Sequence, residues 1–341
     1  MKARAKGALG IAITAVCLYL AFRNVDWARA AATVARANYL LLALAAAAAT
    51  GMFPLRARRW RVILDPVVPR LPMGPLWRSV AIGMMVNNVA LLRAGELARA
   101  FAITREVPEV TFSTSLASLV VDRVFDAIVV LLLLAVAIVA SGLSTSTQIL
   151  GYSLGHVAVL FAAAPLAMLV VLYSLVFYPA TLIRLFELSV RRVSPALEQR
   201  GGEMLRRFAA GLSVLRSFKH FNAVFWWTML HWLLQPVAFW LGLRALGISV
   251  PWHATLVLQG LIVILVAVPS APGFFGPFEI GATLALGIYG VPPSEAATWA
   301  LVFHVASFIP ITLIGAYYAT RLGFRIGDVT SASANTNASP A

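Results

Sequence analysis

Charged side chains are scarce in this chain, where Asp, Glu, Lys and Arg together make up 12% of 341 residues. Soluble globular domains carry roughly twice that share. Hydrophobic residues make up 61% of the chain and stand in long blocks. This composition excludes an ordinary soluble domain and predicts an all-α polytopic membrane protein.

Acidic residues are especially few, with 13 against 27 Lys and Arg and a formal net charge of +14. Such an excess suits nucleic acid or an anionic membrane surface. Most basic residues stand between apolar blocks, in segments that the topology below places in the cytoplasm, which is the positive-inside bias of membrane proteins. We therefore expect membrane lipids with anionic phosphate head groups as partners, and no nucleic acid. The expected location is the inner (plasma) membrane, with several passes and both termini cytoplasmic.

Cysteine occurs once, as Cys17, so no disulfide can form within the chain. Enzyme motifs are also lacking: the sequence contains no HExxH, no P-loop and no GxSxG elbow that follows a predicted strand. The five histidines are scattered without the spacing of metal ligands. We therefore expect no cofactor, no metal site and no enzymatic activity.

Six apolar blocks predict full membrane spans. They cover residues 7–22, 39–55, 112–140, 151–178, 221–246 and 295–320. Regions 75–107 and 253–290 each hold two apolar pieces that are too short, because a crossing helix needs ~20 residues. They predict two re-entrant helical hairpins, entering from the cytoplasm and from the outside respectively. Segment 179–221 is basic with an apolar stripe, which predicts an amphipathic helix on the cytoplasmic surface.

The order of these elements repeats along the chain. Residues 7–140 and 151–320 each read span, span, hairpin, span. An odd number of crossings in each half turns the second half upside down, which predicts an inverted repeat, the architecture of many transporters. The membrane domain is expected to cover 1–326, followed by a disordered tail over 327–341.

Polar residues break the first hairpin at Asn87, Asn88, Arg93, Gly95 and Glu96. A charge at membrane depth costs at least ~2.5–3.5 kcal/mol, so it is kept where it faces protein, water or substrate. Gly95 permits a turn, and Glu96 then lies at the positive end of the following helix. Arg93 is close enough to pair with Glu96 or with a phosphate. The alternative is a closed Arg93–Glu96 pair that only holds the hairpin together.

The second hairpin breaks at VPSAPGFFGPFEIG, residues 268–281, where prolines prevent a continuous helix. Gly273 and Gly276 leave backbone N–H groups open to an anionic head group. Glu279 occupies the first turn of the next helix and so matches Glu96. The alternative is a helix cap within a packed loop.

Ionisable residues also lie inside two of the predicted spans. Asp122 and Asp126 share one helix face, whereas Arg123 points aside and either cancels charge between helices or reaches Glu96. His304 lies at a similar depth in the last span, opposite Asp122 under the repeat. It is either a hydrogen-bonded histidine or a proton carrier.

Four motifs carry a family resemblance. They are RARRWRVIL at 56–64, N-N-x(4)-R-A-G-E at 87–96, D-R-V-F-D at 122–126 and P-x-x-P-G-x-x-G-x-x-E at 269–279. In this order they resemble the lysylphosphatidylglycerol synthase transmembrane family, also called flippase-like proteins. Larger members of that family move an aminoacylated phospholipid and carry a C-terminal aminoacyl-transferase domain. We expect a stand-alone form without that domain, so transfer of lysine from tRNA is not implied, whereas traffic of lipids or polyprenyl-linked head groups is.

The predicted function is a lipid flippase or scramblase-like carrier for a phospholipid or polyprenyl-linked lipid. Arg93 would pair with the lipid phosphate, while Glu96 and Glu279 would bind a cationic head or a coupling proton. One alternative is an intramembrane transferase acting on a polyprenyl-phosphate donor, with Asp122 or Glu96 as its base. Another is a non-transporting partner of a lipid-modifying complex.

Overall fold

The computed structural model describes most of the chain. The described ranges are 2–23, 25–90, 94–141, 148–149, 152–191, 198–199, 201–202, 205–206, 217–267 and 272–324. The helices are α1 (Lys2–Phe22), α2 (Trp27–Ala35), α3 (Tyr39–Leu64), α4 (Met73–Val89), α5 (Gly95–Glu106), α6 (Phe112–Ala140), α7 (Leu154–Phe177), α8 (Pro179–Arg191), α9 (Phe218–Ala245), α10 (Ala254–Val266), α11 (Pro277–Gly287) and α12 (Pro293–Arg321). A 3₁₀ turn covers Pro272–Phe274, and the short strands β1 (Gln148–Ile149) and β2 (Tyr152–Ser153) form one antiparallel pair.

Local sequence signals set the starts of the long helices. The side chain of Asn38 accepts a hydrogen bond from the Leu41 N–H and caps α3. Thr111 caps α6 in the same way. Helices α11 and α12 begin with prolines, which fit the first helical position because the N–H that they lack would have no partner there.

Three described helices, α3, α6 and α12, are long and apolar enough to cross a membrane. A fourth candidate is α7 together with α8, which bend by 111° where they meet. The prediction of a helical, polytopic membrane protein is therefore confirmed. The count of six full spans stays a prediction.

Helix α3 is longer than its apolar block predicted. The sequence indicated an end at Leu55 and a basic cytoplasmic segment after it, but the helix continues to Leu64. Arg56 and Arg59 are consequently buried inside the protein. The physical reason is that acidic side chains on other helices pair with both arginines.

Two pairs of short helices occupy the regions predicted as hairpins. Helix α4 packs on α5, and α10 packs on α11. Helices α5, α10 and α11 contain 12, 13 and 11 residues. At a rise of 1.5 Å per residue they are roughly 16–20 Å long, which is less than the ~30 Å of a hydrocarbon core. Their length agrees with hairpins that enter a membrane without crossing it.

The packing partners of the two halves correspond. The most extensive helix contact joins α3 to α9, the equivalent helices of the two halves. Helix α4 packs on α12, and its equivalent α10 packs on α6. Helix α5 contacts α6 just as α11 contacts α12. A repeat in the sequence order of the elements is therefore matched by a repeat in how they pack.

Two further predictions concern segments at the edge of this bundle. The amphipathic segment 179–221 begins with α8, which turns sharply away from α7. Residues 192–197 and 207–216 of that segment, and the tail predicted to be disordered over 327–341, lie outside the described residues.

Candidate functional site

Seven charged side chains meet between three helices, and we call them the ion cluster. They are Arg56 and Arg59 of α3, Glu96 and Arg99 of α5, and Asp122, Arg123 and Asp126 of α6. With four arginines against three carboxylates, the cluster has one positive charge in excess. The break in the first hairpin therefore joins the acidic motif of α6, as the sequence suggested only for Arg123 and Glu96.

The inner part of the ion cluster is fully buried and paired. The guanidinium of Arg59 lies 2.6 Å from both Asp122 and Asp126. Arg99 donates to the second oxygen of Asp122 at 2.9 Å. Because each buried carboxylate has a cation beside it, mutual attraction offsets the large cost of removing these charges from water.

Aromatic and hydroxyl side chains hold this inner part in place. The Arg99 guanidinium stacks on the Trp60 ring at 4.0 Å from its centroid, a favourable cation–π geometry. The Trp232 indole donates to Asp126 at 2.7 Å. The Thr228 hydroxyl accepts from Arg59 at 3.2 Å. Helix α9, which supplies Thr228 and Trp232, therefore closes the cluster on its fourth side.

The outer part of the ion cluster is open. The side chain of Glu96 is 31% exposed and that of Arg123 is 47% exposed, and their charged atoms lie 2.9 Å apart. The same Glu96 oxygen also accepts from Arg56 at 2.8 Å. One carboxylate thus sits between an exposed and a buried arginine, at a place that solvent or a ligand can reach.

The cluster also contains buried N–H donors that lack an acceptor. In the described ranges, Nε and Nη2 of Arg99 and Nε of Arg59 have no hydrogen-bond partner. Nε of Arg56 likewise has no aligned acceptor, although it lies 3.5 Å from an Asp122 oxygen. Two carboxylate oxygens, on Glu96 and Asp122, are likewise without an aligned donor, although the Asp122 oxygen lies 2.6 Å from Arg59. Unpaired guanidinium donors beside an exposed rim can bind an additional anion, since arginine suits phosphate oxygens.

Asn87 and Gly95 fix the position of Glu96. The Asn87 side-chain oxygen accepts from the Gly95 N–H at 2.9 Å. A Cβ atom on Gly95 would lie 2.1 Å from the carbonyl oxygen of Gly83, so only glycine allows α4 and α5 to approach this closely. Asn88 points elsewhere and donates to Thr312 of α12 at 2.7 Å. Arg93 lies outside the described residues.

The second break forms a separate buried centre, which we call the Glu279–His304 pair. Nδ1 of His304 lies 2.6 Å from one Glu279 oxygen, and its Nε2 lies 2.8 Å from the Gly273 carbonyl oxygen. The other Glu279 oxygen accepts from the Gly276 N–H at 2.6 Å. Gly273 and Gly276 have φ values of 72° and 96°, which glycine adopts without strain. His304 therefore contacts Glu279 and not Asp122.

The ion cluster and the Glu279–His304 pair are separate centres, but the elements that carry them are in contact. Among the described residues no ion pair joins the ion cluster to the Glu279–His304 pair. The turn at Pro272–Phe274 lies against α4 of the first hairpin. Along α12, His304 and Thr312 stand on one face at helical spacing, and Thr312 accepts from Asn88. Helix α12 thus contacts both hairpins.

Sequence reasoning missed three arginines of the ion cluster. The apolar pattern places Arg56 and Arg59 in a cytoplasmic segment and Arg99 at the base of the first hairpin. Their spacing of three residues, repeated between Glu96 and Arg99, was the available signal because such residues share a helix face. Arg78 is also predicted at the hairpin base, and in the structure it pairs with Glu106. No group of His, Cys, Asp and Glu side chains in the described ranges could hold a metal ion.

Comparisons with known proteins extend these findings. The sequence model of the family described as lysylphosphatidylglycerol synthase TM region matches residues 7–315. A UPF0104 membrane protein of Methanothermobacter thermautotrophicus is 25% identical over 301 residues, covering 83% of this chain and 84% of that protein. The glycosyltransferase AglD of Haloferax volcanii is 32% identical over 119 residues, which are 34% of this chain and 19% of AglD. No solved structure matches the chain.

Proposed function

The chain belongs to the lysylphosphatidylglycerol synthase transmembrane-region family, and from that premise we propose that it moves a phosphate-bearing lipid across its membrane. The substrate is a phospholipid or a polyprenyl-linked lipid, and the protein acts as a flippase or scramblase-like carrier. The ion cluster binds the phosphate of the head group. Its exposed Glu96–Arg123 pair is the observation that carries the proposal.

A purely structural ion cluster has no need of an open rim. The inner charges already offset one another, since Arg59 and Arg99 both form ion pairs with Asp122. Glu96 and Arg123 add charges that are expensive at membrane depth and remain partly exposed. An excess positive charge together with unpaired arginine N–H groups favours an anionic ligand.

The position of Glu96 indicates how the phosphate binds. Its carboxylate receives Arg56 and Arg123 at 2.8 and 2.9 Å, the distances of charge-assisted hydrogen bonds. The oxygens of a lipid phosphate are also negatively charged and accept hydrogen bonds from arginine. The phosphate therefore takes the place of the Glu96 carboxylate. When the lipid leaves, Glu96 returns to Arg56 and Arg123, so that neither arginine is left without an anion.

The proposed topology explains how the lipid crosses. It has six full spans, a first re-entrant hairpin (α4 and α5) from the cytoplasm and a second (α10 and α11) from the outside, in an inverted repeat with both termini cytoplasmic. The membrane domain covers 1–326. Rocking of the two halves about the contact of α3 with α9 opens the polar centre to each side in turn.

Two rival functions remain as outcomes of the test. A transferase using Asp122 as base is disfavoured, because Asp122 is fully buried and bound by Arg59 and Arg99. Glu96 is the candidate base that stays accessible to substrate. A non-transporting partner of a lipid-modifying complex would keep pathway function without Glu96 and Arg123.

The test is transfer of fluorescent phospholipids in proteoliposomes, using Arg123→Ala and Glu96→Gln. Losing a charge-assisted hydrogen bond worth ~1.5–3 kcal/mol predicts a roughly ten- to hundredfold weaker use of substrate by Arg123→Ala. Glu96→Gln is expected to retain binding but release lipid slowly, because an amide is a poor partner for the arginines.

Matched controls come from an ion pair outside the ion cluster, between α2 and α12. Arg29 and Glu295 lie 2.7 Å apart with side-chain exposures of 64% and 30%, similar to Arg123 and Glu96. Arg29→Ala and Glu295→Gln should transfer lipid as the wild type does. Equal transfer by Arg123→Ala and Arg29→Ala would rule out the carrier function of this site, and a new product from a labelled polyprenyl-phosphate donor would favour the transferase.

A further inference from the structure

The Glu279–His304 pair determines its own proton count through its hydrogen bonds. A backbone carbonyl oxygen can only accept a hydrogen bond. Because Nε2 of His304 lies 2.8 Å from the Gly273 carbonyl oxygen, Nε2 must carry a hydrogen atom. The remaining ring nitrogen, Nδ1, is then free to face Glu279 either as a donor or as an acceptor.

A proton must lie between the two side chains. Nδ1 of His304 is 2.6 Å from the Glu279 oxygen, and two bare lone pairs at that distance would repel. Either Glu279 is protonated and donates to Nδ1, or His304 is doubly protonated and donates to a carboxylate. Both forms contain the same number of protons and have no net charge. The observed geometry is therefore the proton-loaded form of the pair.

The surroundings offer no other charge to replace that proton. Glu279 is fully buried, and the rings of Phe275 and Phe278 cover His304 at 4.3 and 4.4 Å. Helix α10 contains no titratable side chain, and α9 approaches through an apolar ring. On helix α1, the titratable side chain near the pair is Cys17, which lies beside Gly276.

Charged groups on the remaining neighbours are occupied elsewhere. The charged side chain of α4 is Arg78, which pairs with Glu106 at the hairpin base. The acid of α12 is Glu295, which pairs with Arg29. Without its proton, the pair would thus contain a buried carboxylate whose remaining hydrogen bond is the Gly276 N–H, a costly arrangement.

The hydrogen bonds of the shared proton also connect helix α11, helix α12 and the turn before α11. The proton ties α11, through Glu279, to α12, while the same two side chains hold Gly273 and Gly276 of the turn. Residues 273–276 include three with positive φ, one of them Phe274, a conformation that needs support from its surroundings. Because the turn lies against α4, losing the proton would loosen the contact between the two hairpins.

We propose that the Glu279–His304 pair is a proton-binding site whose proton is released and rebound in each cycle of lipid transfer. The proposal rests on the lipid transfer proposed above and identifies its coupling ion. On release, the shared proton passes to water and leaves a Glu279 carboxylate beside a neutral His304 with its hydrogen on Nε2. Rebinding restores the uncharged pair and the contact between hairpins. A cationic head group is not bound here, because both Glu279 oxygens are occupied.

The experiment uses proteoliposomes that contain a pH-sensitive dye and a fluorescent phospholipid. Lipid transfer and proton movement are recorded together, with and without an imposed pH gradient, for the wild type, Glu279→Gln and His304→Gln. One proton per cycle makes the wild-type rate change by up to roughly tenfold per pH unit. Glu279→Gln has no carboxyl group to bind and release the proton, so its rate should vary by less than about twofold and no proton movement should accompany lipid. His304→Gln removes the partner of the shared proton, so its response to the gradient should differ from that of the wild type.

A control variant and a second measurement distinguish loss of the proton site from damage to the fold. His220 is partly exposed and lies 3.5 Å from Asp65, so His220→Gln should respond to the gradient as the wild type does. Infrared difference spectra of purified protein provide a second measurement that needs no transfer. They should show bands of a protonated carboxyl group or of an imidazolium that respond to pH in the wild type and disappear in Glu279→Gln.

The outcomes distinguish the two proposals. If the wild type moves lipid but neither responds to the gradient nor moves protons, the proton site is wrong and lipid transfer stands. The proton site is equally wrong if both variants keep the wild-type response. If the wild type moves no lipid, the proposed function is wrong, and the infrared bands of the carboxyl group and the imidazolium decide whether the pair holds a proton.

Discussion

At the scale of single residues, the buried part of the ion cluster depends on Asp122. This carboxylate is fully buried and lies within 2.9 Å of two buried arginines, Arg59 and Arg99. Its accessible neighbours Glu96 and Arg123 can exchange partners, whereas Asp122 cannot. We therefore separate a structural half of the cluster from the half that we propose binds ligand.

Replacing Asp122 by Asn should destabilise the protein strongly. Removing one partner of a buried ion pair leaves its arginines uncompensated and costs ~3–5 kcal/mol. The measurement is the free energy of unfolding in mixed micelles. Asp65→Asn is the control, because Asp65 is 42% exposed and its loss should cost at most ~1 kcal/mol. Equal stabilities for the two variants would contradict the division of the cluster.

The sequence predicted the acidic half of this site better than its basic half. Glu96 and Asp122 interrupt apolar stretches and are conspicuous there. Arg56 and Arg59 follow directly after an apolar block, where a positive-inside bias explains them equally well. Only the three-dimensional approach of α6 to α3 shows that they are counter-ions inside the protein.

At the scale of elements, the first hairpin depends on close contact between its two helices. Gly95 begins α5 directly against the backbone of α4, and the Asn87 side chain caps it. This contact places Glu96 beside Arg56 and Arg123. The hairpin is therefore the element that positions the half of the ion cluster that we propose binds ligand.

A single methyl group at Gly95 should disturb that hairpin. In Gly95→Ala the new Cβ would meet the Gly83 oxygen at 2.1 Å, and overpacking of this kind costs ~1–3 kcal/mol. Lipid transfer should fall together with stability, because Glu96 moves. Gly287→Ala, where no atom lies within 4 Å of the new Cβ, should be neutral or gain up to ~1 kcal/mol of helix stability. Wild-type thermal stability and transfer in Gly95→Ala would show that the close approach is dispensable.

The existence of both short-helix pairs could be predicted from length and polar breaks, but their contacts could not. The apolar pieces are too short to span, and glycine and proline mark the breaks. Which residues the turns face depends on packing between distant segments, such as α12 against α4. For this reason the sequence predicts that Asn88 binds the substrate, whereas in the structure its side chain donates to Thr312.

At the scale of the whole molecule, the account requires a six-span topology with two non-crossing hairpins. Composition alone identified a polytopic membrane protein, and four candidate spans at most satisfy length and hydropathy among the described residues. The correspondence of packing partners between halves supports the inverted repeat. Neither the sequence pattern nor the packing measures on which side of the membrane each loop lies.

Labelling of single cysteines with a membrane-impermeant reagent measures that sidedness. In a Cys17→Ser background, Val67→Cys before the first hairpin and Glu109→Cys after it should react only from the cytoplasm. Trp252→Cys before the second hairpin should react only from outside. Val89→Cys, 46% exposed near the first break, should react from neither side. Reaction of Val89→Cys from the outside would make α4 and α5 two full crossings.

The claim on which the account depends is that the open half of the ion cluster binds a lipid phosphate. The most direct measurement is equilibrium binding of a fluorescent phospholipid to the purified protein, with a phosphate-free diacylglycerol probe as reference. Arg123→Ala should weaken phospholipid binding at least roughly tenfold, the loss of one charge-assisted hydrogen bond, while Arg29→Ala should bind as tightly as the wild type. If Arg123→Ala binds phospholipid as the wild type does, or if the diacylglycerol binds equally well, the ion cluster is not the phosphate site.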